Sequence, residues 1–372
     1  MTACPRKTTS GPDRWAAFCQ AIPIASHRTA AVPAPAHREQ AIDIREHITN
    51  LIVEAMEKKG TPPWRKSWSS GCLHLNCSSG QVYKGINQVV LGMQGRGDPR
   101  WLTFKQAEYM GLHVRKGERG THIVKMVEVN RRQAAQEADG GGDVLAEDGS
   151  KALIMRAYTV FNASQIDGMA PMPTRECNIT CADAVEQIIF ALQRTGLKVN
   201  FGQGFQPAYY PRTDEVRIPP ASEFTSLEDF HATLLHEAAG HATGHPKRLA
   251  RLHMDARFGS PEYAREELRA ELVSSMMQGV IGLPPGPTLI AQHSAYLASW
   301  LQALKNDKNE IFKAAADAQK ICDYVSKLAV EAQPFVVQAP TDASKSDALI
   351  VAEKRFDIGE MVHQRAAFRG TN

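Results

Sequence analysis

The stretch Leu234-Leu-His-Glu-Ala-Ala-Gly-His-Ala-Thr-Gly-His245 decides how the C-terminal half of this chain folds and what it can do. It differs by one residue from H-E-x-x-H, the helical pattern in which two histidines hold Zn²⁺ and flank a glutamate base. Here His236 and Glu237 are followed by His241, one residue later than that pattern requires. On a regular helix, positions four apart differ by ~40° and positions five apart by ~140°. An ideal helix therefore cannot aim His236 and His241 at one ion. Two arrangements resolve this. A π-turn over Ala238-Ala239-Gly240 would absorb the extra residue and realign the rings. Alternatively His241 and His245, four apart, form the pair, and Glu237 is then misplaced as a base. The plain alternative is a histidine-rich amphipathic helix that holds no metal.

The flanks favour a site. Ser226-Leu-Glu-Asp229 resembles a capping box, with Asp229 in the usual Glu or Gln position. Leu227, Phe230, Leu234 and Leu235 supply a buried face, and Gly244 and Pro246 end the helix. Downstream, Tyr263-Ala-Arg-Glu-Glu-Leu-Arg-Ala-Glu-Leu272 opens a second helix with Glu267 and Glu271 on one face. A catalytic zinc site of the two-histidine, one-glutamate class takes its carboxylate from elsewhere in the fold and leaves a fourth position open. Glu267 is the expected third ligand. Glu271 is the expected orienting partner of a histidine, or the alternate ligand.

The chain has 372 residues, enough for two domains with tails, and a formal net charge of only +3. Its seven cysteines are scattered and odd in number, which suggests reduced thiols and a cytoplasmic setting. Cys72 and Cys77 flank His74, and Cys177 and Cys181 are four apart, but neither spacing is a standard zinc ribbon. No run approaches the ~20 apolar residues of a membrane span. Residues 1–36 are Pro/Ala-rich without an apolar segment, so they read as a disordered leader rather than a secretory signal.

Helical periodicity covers roughly residues 38–59 and stops at Gly60-Thr-Pro-Pro63. A short helix begins near Gly85, and another follows Trp101-Leu-Thr-Phe104. Segments 121–129 and 152–161 read as paired strands joined by a long insertion containing Gly140-Gly-Gly142. Pro171 to Arg175 reads as a linker. Beyond it come a helix near 181–194, a strand near 197–201, a hairpin near 209–218, the histidine segment, and helices near 261–281, 288–306 and 309–330. The expected fold class is α+β in two domains, 37–170 and 176–332. The second is mostly helical with a small antiparallel sheet, and residues 333–372 form a flexible tail.

The first domain has its own chemistry. Residues 41–130 carry 13 Lys and Arg against 8 Asp and Glu, and the cations cluster with aromatics. That mixture holds single-stranded nucleic acid, with cations on phosphates and rings against unpaired bases. The candidate contacts are Trp64, Arg65, Lys66, Trp68, Tyr83, Lys84, Asn87, Trp101, Lys105, Arg115, Lys116 and Arg119. The competing reading is that the tryptophans are core anchors and the charges a solvated face.

Several ordered motifs carry a family resemblance: Gly80-Gln-Val-Tyr-Lys-Gly-Ile-Asn87, Trp101-Leu-Thr-Phe-Lys-Gln-Ala107, Val114-Arg-Lys-Gly-Glu-Arg-Gly120 and Tyr158-Thr-Val-Phe-Asn162. They resemble the N-terminal domain of the ArdC antirestriction family, which is shared with TraC-type plasmid primases. Leu235-His-Glu, Thr243-Gly-His-Pro-Lys-Arg-Leu249 and Tyr263-Ala-Arg-Glu-Glu-Leu268 resemble the zincin-like domain of the same family. The resemblance spans roughly residues 40–330. It implies a protein of conjugative mobile elements that binds single-stranded DNA and protects incoming DNA from host restriction. It also implies a peptidase-like domain with Zn²⁺ or another divalent metal. Carried over, His236, His241 and Glu267 are the metal ligands and Glu237 is the base. The departure from the family pattern is the extra alanine at 238 or 239. Two other functions stay open: a zinc metalloprotease acting on a host restriction or repair protein, and a DNA-binding module with a degenerate peptidase domain.

Overall fold

Asp43 caps the first helix, α1 (Ile44–Lys59), by accepting hydrogen bonds from the backbone N–H groups of Arg45 and Glu46 at 3.0 and 3.2 Å. Gly60, at φ 62°, closes it by donating its N–H to the Met56 carbonyl. The computed structural model describes residues 43–64, 73–130, 144–148, 151–172, 180–252, 256–286 and 294–332. The expected leader, the C-terminal tail, the glycine-rich insertion at 131–143 and most of the linker lie outside these residues. So do the candidate contacts Arg65, Lys66 and Trp68, and the cysteines at 72 and 177.

The N-terminal half continues as β1 (Leu75–Asn76), α2 (Ile86–Gly92), β2 (Arg100–Thr103), α3 (Phe104–Tyr109) and β3 (His113–Val114). Then come β4 (Thr121–Asn130), β5 (Val144–Asp148), β6 (Lys151–Asn162) and β7 (Ile166–Asp167). The main sheet runs β1-β2-β6-β4, with β5 also paired to β6. Strand β4 pairs antiparallel with β6 along its whole length, from Thr121 opposite Val160 to Asn130 opposite Lys151. This is the hairpin expected from the β-branched runs. The sheet also contains a parallel pair, β1 with β2, because α2 lies between them and returns the chain in the same direction.

The C-terminal half contains α4 (Cys181–Gln193), β8 (Lys198–Phe201), β9 (Ala208–Tyr210) and β10 (Glu215–Ile218). It continues with α5 (Leu227–Leu234), α6 (Pro261–Ile281), α7 (Ser294–Asn306) and α8 (Glu310–Glu331). Its sheet is mixed rather than purely antiparallel. β10 pairs antiparallel with β9 and parallel with β8, because the loop after β8 carries the chain past the central position before β9 forms. No described helix is long and apolar enough to cross a membrane.

One core joins the two halves. The buried stripe Ile48, Ile52, Val53 and Met56 of α1 belongs to the same cluster as Leu304 of α7 and Ala314 and Ala318 of α8. Thr49 donates its hydroxyl to the Lys308 carbonyl at 2.7 Å, and the Gly85 N–H reaches the Gln319 amide oxygen at 3.0 Å. Trp64 and Trp300 are both fully buried, with ring centroids 6.3 Å apart. Trp300 also donates its indole N–H to the Ala264 carbonyl at 3.0 Å. Trp64 therefore anchors α1 against the C-terminal helices. Truncating it to alanine should lower the unfolding free energy by about 3–5 kcal/mol. Urea denaturation of the purified chain checks this, and a negligible change would contradict the buried assignment.

Candidate metal centre

The histidine segment starts as an ordinary helix. Ser226 accepts the Asp229 N–H at 3.1 Å, and α5 runs from there to Leu234. From Leu235 to His241 the backbone widens into a π-helical turn, and Ala242 donates its N–H to the Glu237 carbonyl, five residues back. A short 3₁₀ turn, Ala242–Gly244, ends the segment. The extra residue is thus absorbed by the first of the two arrangements open from sequence.

The widening turns both histidines to one side. His236 Nε2 and His241 Nε2 lie 3.2 Å apart, with ring centroids at 4.8 Å. Helix α6 packs against this turn and presents three glutamates. Glu267 reaches both rings, at 3.4 Å from His236 Nε2 and 3.5 Å from His241 Nε2. On the far side of each ring stands another carboxylate: Glu271 is 3.8 Å from His236 Nδ1, and Glu266 is 3.5 Å from His241 Nδ1. Among the described residues, His236, His241 and Glu267 form the one group whose potential ligand atoms all lie within 4.8 Å of one another. Two imidazole nitrogens and a carboxylate oxygen, converging with their outer nitrogens facing carboxylates, fit a divalent transition metal.

Gly240 makes the approach of α6 possible. A Cβ there would sit 2.7 Å from the Ala270 Cβ and 2.8 Å from its Cα, so the two backbones touch with no room for a side chain. The end of the turn is held by side chains. Thr243 donates to the Ala239 carbonyl at 2.7 Å, and Arg251 donates to the Gly240 carbonyl at 2.6 Å and to Thr243 Oγ1 at 2.8 Å. Arg251 also pairs with Glu266. Sequence reasoning missed Glu266 and Arg251. Their signal is spacing that only the fold exposes, because Arg251 lies beyond the end of the motif and Glu266 is adjacent to the expected ligand.

The electrostatics follow from burial and pairing. Burial alone would lower the His241 pKa, but Glu267, Glu266 and Glu237 outweigh it and raise it well above the ordinary histidine value. Burial opposes ionisation of Glu267, yet His241 and His236 hold its carboxyl far below the usual range. Glu237 is buried, and its charge is felt at His241 and at Tyr296. Tyr263 hydrogen-bonds Glu267, and its hydroxyl lies 3.2 Å from that of Tyr296. Burial and then the Glu267 charge push the Tyr263 phenol up.

The alternate ligand His245 is not in the cluster. Its Nδ1 lies 3.6 Å from Asp214 and accepts the Lys247 N–H at 3.2 Å. Asp214 also holds the buried Arg248 and the Tyr209 hydroxyl, so His245 belongs to a network that ties the β9–β10 turn to this loop. His74 is buried, accepts the Trp101 indole N–H at 3.1 Å on Nδ1, and is pushed down to about 4 by burial. It is a core histidine. Cys181 lies against the carbonyls of Ile281 and Gly282, at 3.5 and 3.3 Å, near the end of α6.

The candidate nucleic-acid contacts sort into distinct groups. Trp64 and Trp101 are fully buried, so the expectation that they stack on bases is corrected: both are core residues. Asn87 spends its amide on the Val124 N–H and carbonyl, at 2.9 and 2.7 Å, and clamps α2 to β4. The Tyr83 hydroxyl takes a hydrogen bond from Asn76 at 3.1 Å. Lys84 pairs with Asp323 across the two halves at 3.1 Å. Arg115 is engaged by Glu118 and Asp167 at 2.9 and 3.3 Å. Lys105, Lys116 and Arg119 are exposed and make no ion pair among the described residues. Sequence reasoning missed Phe104, which is 55% exposed and packs edge-on against Phe161 with centroids 6.5 Å apart.

The fold and this donor set define a two-domain α+β protein whose second half is zincin-like. Residues 184–317 match the zincin-like metallopeptidase family, and residues 42–161 match the N-terminal domain of the anti-restriction factor ArdC. The crystal structure of antirestriction ArdC from plasmid R388 in its metal-free form is 34% identical, with a TM-score of 0.61 over 79% of this chain and all of that one. The Mn(II)-bound form is 35% identical with a TM-score of 0.60, over 77% of this chain and 98% of that one. Protein y4eC of Sinorhizobium fredii is 35% identical across 78% of this chain and 94% of its own length. A DNA primase TraC of Escherichia coli is 39% identical over 75% of this chain, but the match spans only 27% of the primase. The chain belongs to the ArdC antirestriction family.

Two outcomes follow from the geometry. The carboxylates around His241 favour its protonated form, so metal uptake should compete with protons, release them at neutral pH and weaken as pH falls. Calorimetric titration of Mn²⁺ in two buffers of different ionisation heat reads this directly, and buffer-independent heats would contradict it. Gly240→Ala should force α6 away from the turn, costing about 1–3 kcal/mol of stability in urea unfolding and weakening Mn²⁺ binding with it.

Proposed function

We propose that this is a single-stranded-DNA-binding antirestriction protein of a mobile element whose C-terminal domain holds one divalent metal. The convergence of His236, His241 and Glu267 despite the extra residue carries the metal half of this reading. Membership of both halves in the ArdC family, in order along one chain, supports the antirestriction role. The Mn(II)-bound relative supports a divalent metal, and the two-histidine, one-carboxylate donor set suits zinc equally.

Of the candidate contacts in the N-terminal half, Lys105, Lys116 and Arg119 are exposed cations available for phosphates, and Phe104, next to Lys105 in sequence, is an exposed ring. Exposed rings and cations suit unpaired bases on a phosphate chain. Replacing Lys105, Lys116 and Arg119 together by alanine should weaken single-stranded DNA binding. It should also flatten the dependence of log affinity on log salt by about 0.7 per lost contact. Fluorescence anisotropy of a labelled oligonucleotide across a salt series measures this. An unchanged slope would remove these three residues from the interface.

In the C-terminal half, His236, His241 and Glu267 would hold the metal, while Glu271 and Glu266 orient the two rings. A bound divalent cation supplies Lewis-acid polarisation of a substrate carbonyl oxygen. Glu237, next to His236 in sequence and buried with its charge felt at His241, would take a proton from water and return it to a leaving amine. The hydroxyls of Tyr263 and Tyr296 stand at the Glu267 side as hydrogen-bond donors. Glu237→Gln separates protection by binding from protection by peptide hydrolysis of a host protein. Transfer of restriction-sensitive DNA into a restricting host should remain protected by the variant. Loss of protection, with metal and DNA binding intact, would transfer the function to hydrolysis.

A further inference from the structure

The lengthened motif needs a device to hold it open, because a π-turn is rarely stable by itself and the last turn of a helix leaves carbonyls without in-helix partners. Three observations identify that device. Arg251 donates to the Gly240 carbonyl at 2.6 Å, at the point where α6 touches the turn. Its other terminal nitrogen donates to Thr243 Oγ1 at 2.8 Å, and that hydroxyl lies 2.7 Å from the Ala239 carbonyl. The same guanidinium pairs with Glu266, whose carboxylate stands 3.5 Å from His241 Nδ1. Both Arg251 and Glu266 are largely buried side chains, at 12% and 10% exposure, so these bonds are not averaged away by solvent.

We propose that Arg251 is the positioning residue that makes the lengthened motif competent for metal. Its planar fork spans the Gly240 carbonyl within the turn, the Thr243 hydroxyl at its end and the carboxylate behind His241. It thereby sets both the width of the turn and the angle of the second imidazole. A lysine cannot reproduce this, because one ammonium on a flexible stem does not bridge a carbonyl, a hydroxyl and a carboxylate in a fixed plane. The inference rests on the metal reading above and adds to it a residue outside the histidine motif and the glutamate pair.

The test uses the full chain and metal alone. Wild type, Arg251→Met, Arg251→Lys and Glu266→Gln are titrated with Mn²⁺ by calorimetry, with near-ultraviolet circular dichroism as the control for folding. Arg251→Met should lower Mn²⁺ affinity about 10–100-fold, the range typical of lost outer-shell partners. Arg251→Lys should recover only part of it. The visible spectrum of the Co²⁺-loaded variant should differ from wild type, since a change in ring angle alters the ligand field and a merely stabilising role would not. If Arg251→Met does not fold, Glu266→Gln decides, with a weaker affinity and an altered Co²⁺ spectrum expected. Unchanged affinity and spectrum in the folded Arg251 or Glu266 variants would overturn the role of Arg251 while leaving the metal site standing. A wild-type chain that takes up no Mn²⁺ would overturn both.

Discussion

The contact between Gly240 and Ala270 is the constraint on which the site depends. It brings the π-turn and α6 to backbone distance, and only at that distance can Glu267 reach both histidines. A side chain at position 240 or a larger residue in place of Ala270 would separate the elements that supply the donors. The same contact buries four carboxylates, two imidazoles and a guanidinium in one small volume. Burying so many charges is tolerated because they compensate one another, with His241 set among Glu237, Glu266 and Glu267, and Arg251 on Glu266. The carboxylates around His241 favour positive charge at the point where the donor atoms converge.

A second consequence concerns how the halves are joined. Trp64 from the N-terminal half packs on Trp300, Trp300 stacks on Tyr296 at 6.0 Å, and Tyr296 meets Tyr263, whose hydroxyl bonds Glu267. This row of rings runs from the end of the first helical segment to the edge of the histidine cluster. Close-packed side chains transmit displacement rather than absorb it. The family pairing of an ArdC N-terminal domain with a zincin-like domain is thus, in this chain, one continuous core rather than two bodies on a linker.

Much of the architecture was legible from pattern alone. The α1 periodicity, the hairpin of β4 and β6, and the long helices α6 and α8 follow from local rules of spacing and capping that hold wherever the segment is placed. Parallel pairing of β1 with β2 and of β8 with β10 was not legible, because a strand's direction in a sheet depends on the path of the connection and not on its own residues.

The residues of the histidine segment determined by themselves that two rings five apart must either be realigned by a π-turn or give way to a different pair. They could not choose between these, since the choice depends on what stabilises the turn from outside. Arg251 and Ala270, from outside the stretch, made that choice with Thr243 at its end, through hydrogen bonds and close packing. The same division separates the two predicted roles of the aromatic residues. Tryptophan chemistry suits a base and a core equally, and burial is decided by what packs on the ring. Composition could name the aromatic and basic residues of the first half; only the fold showed that Trp64 and Trp101 face inward and that Phe104 and Arg119 face solvent.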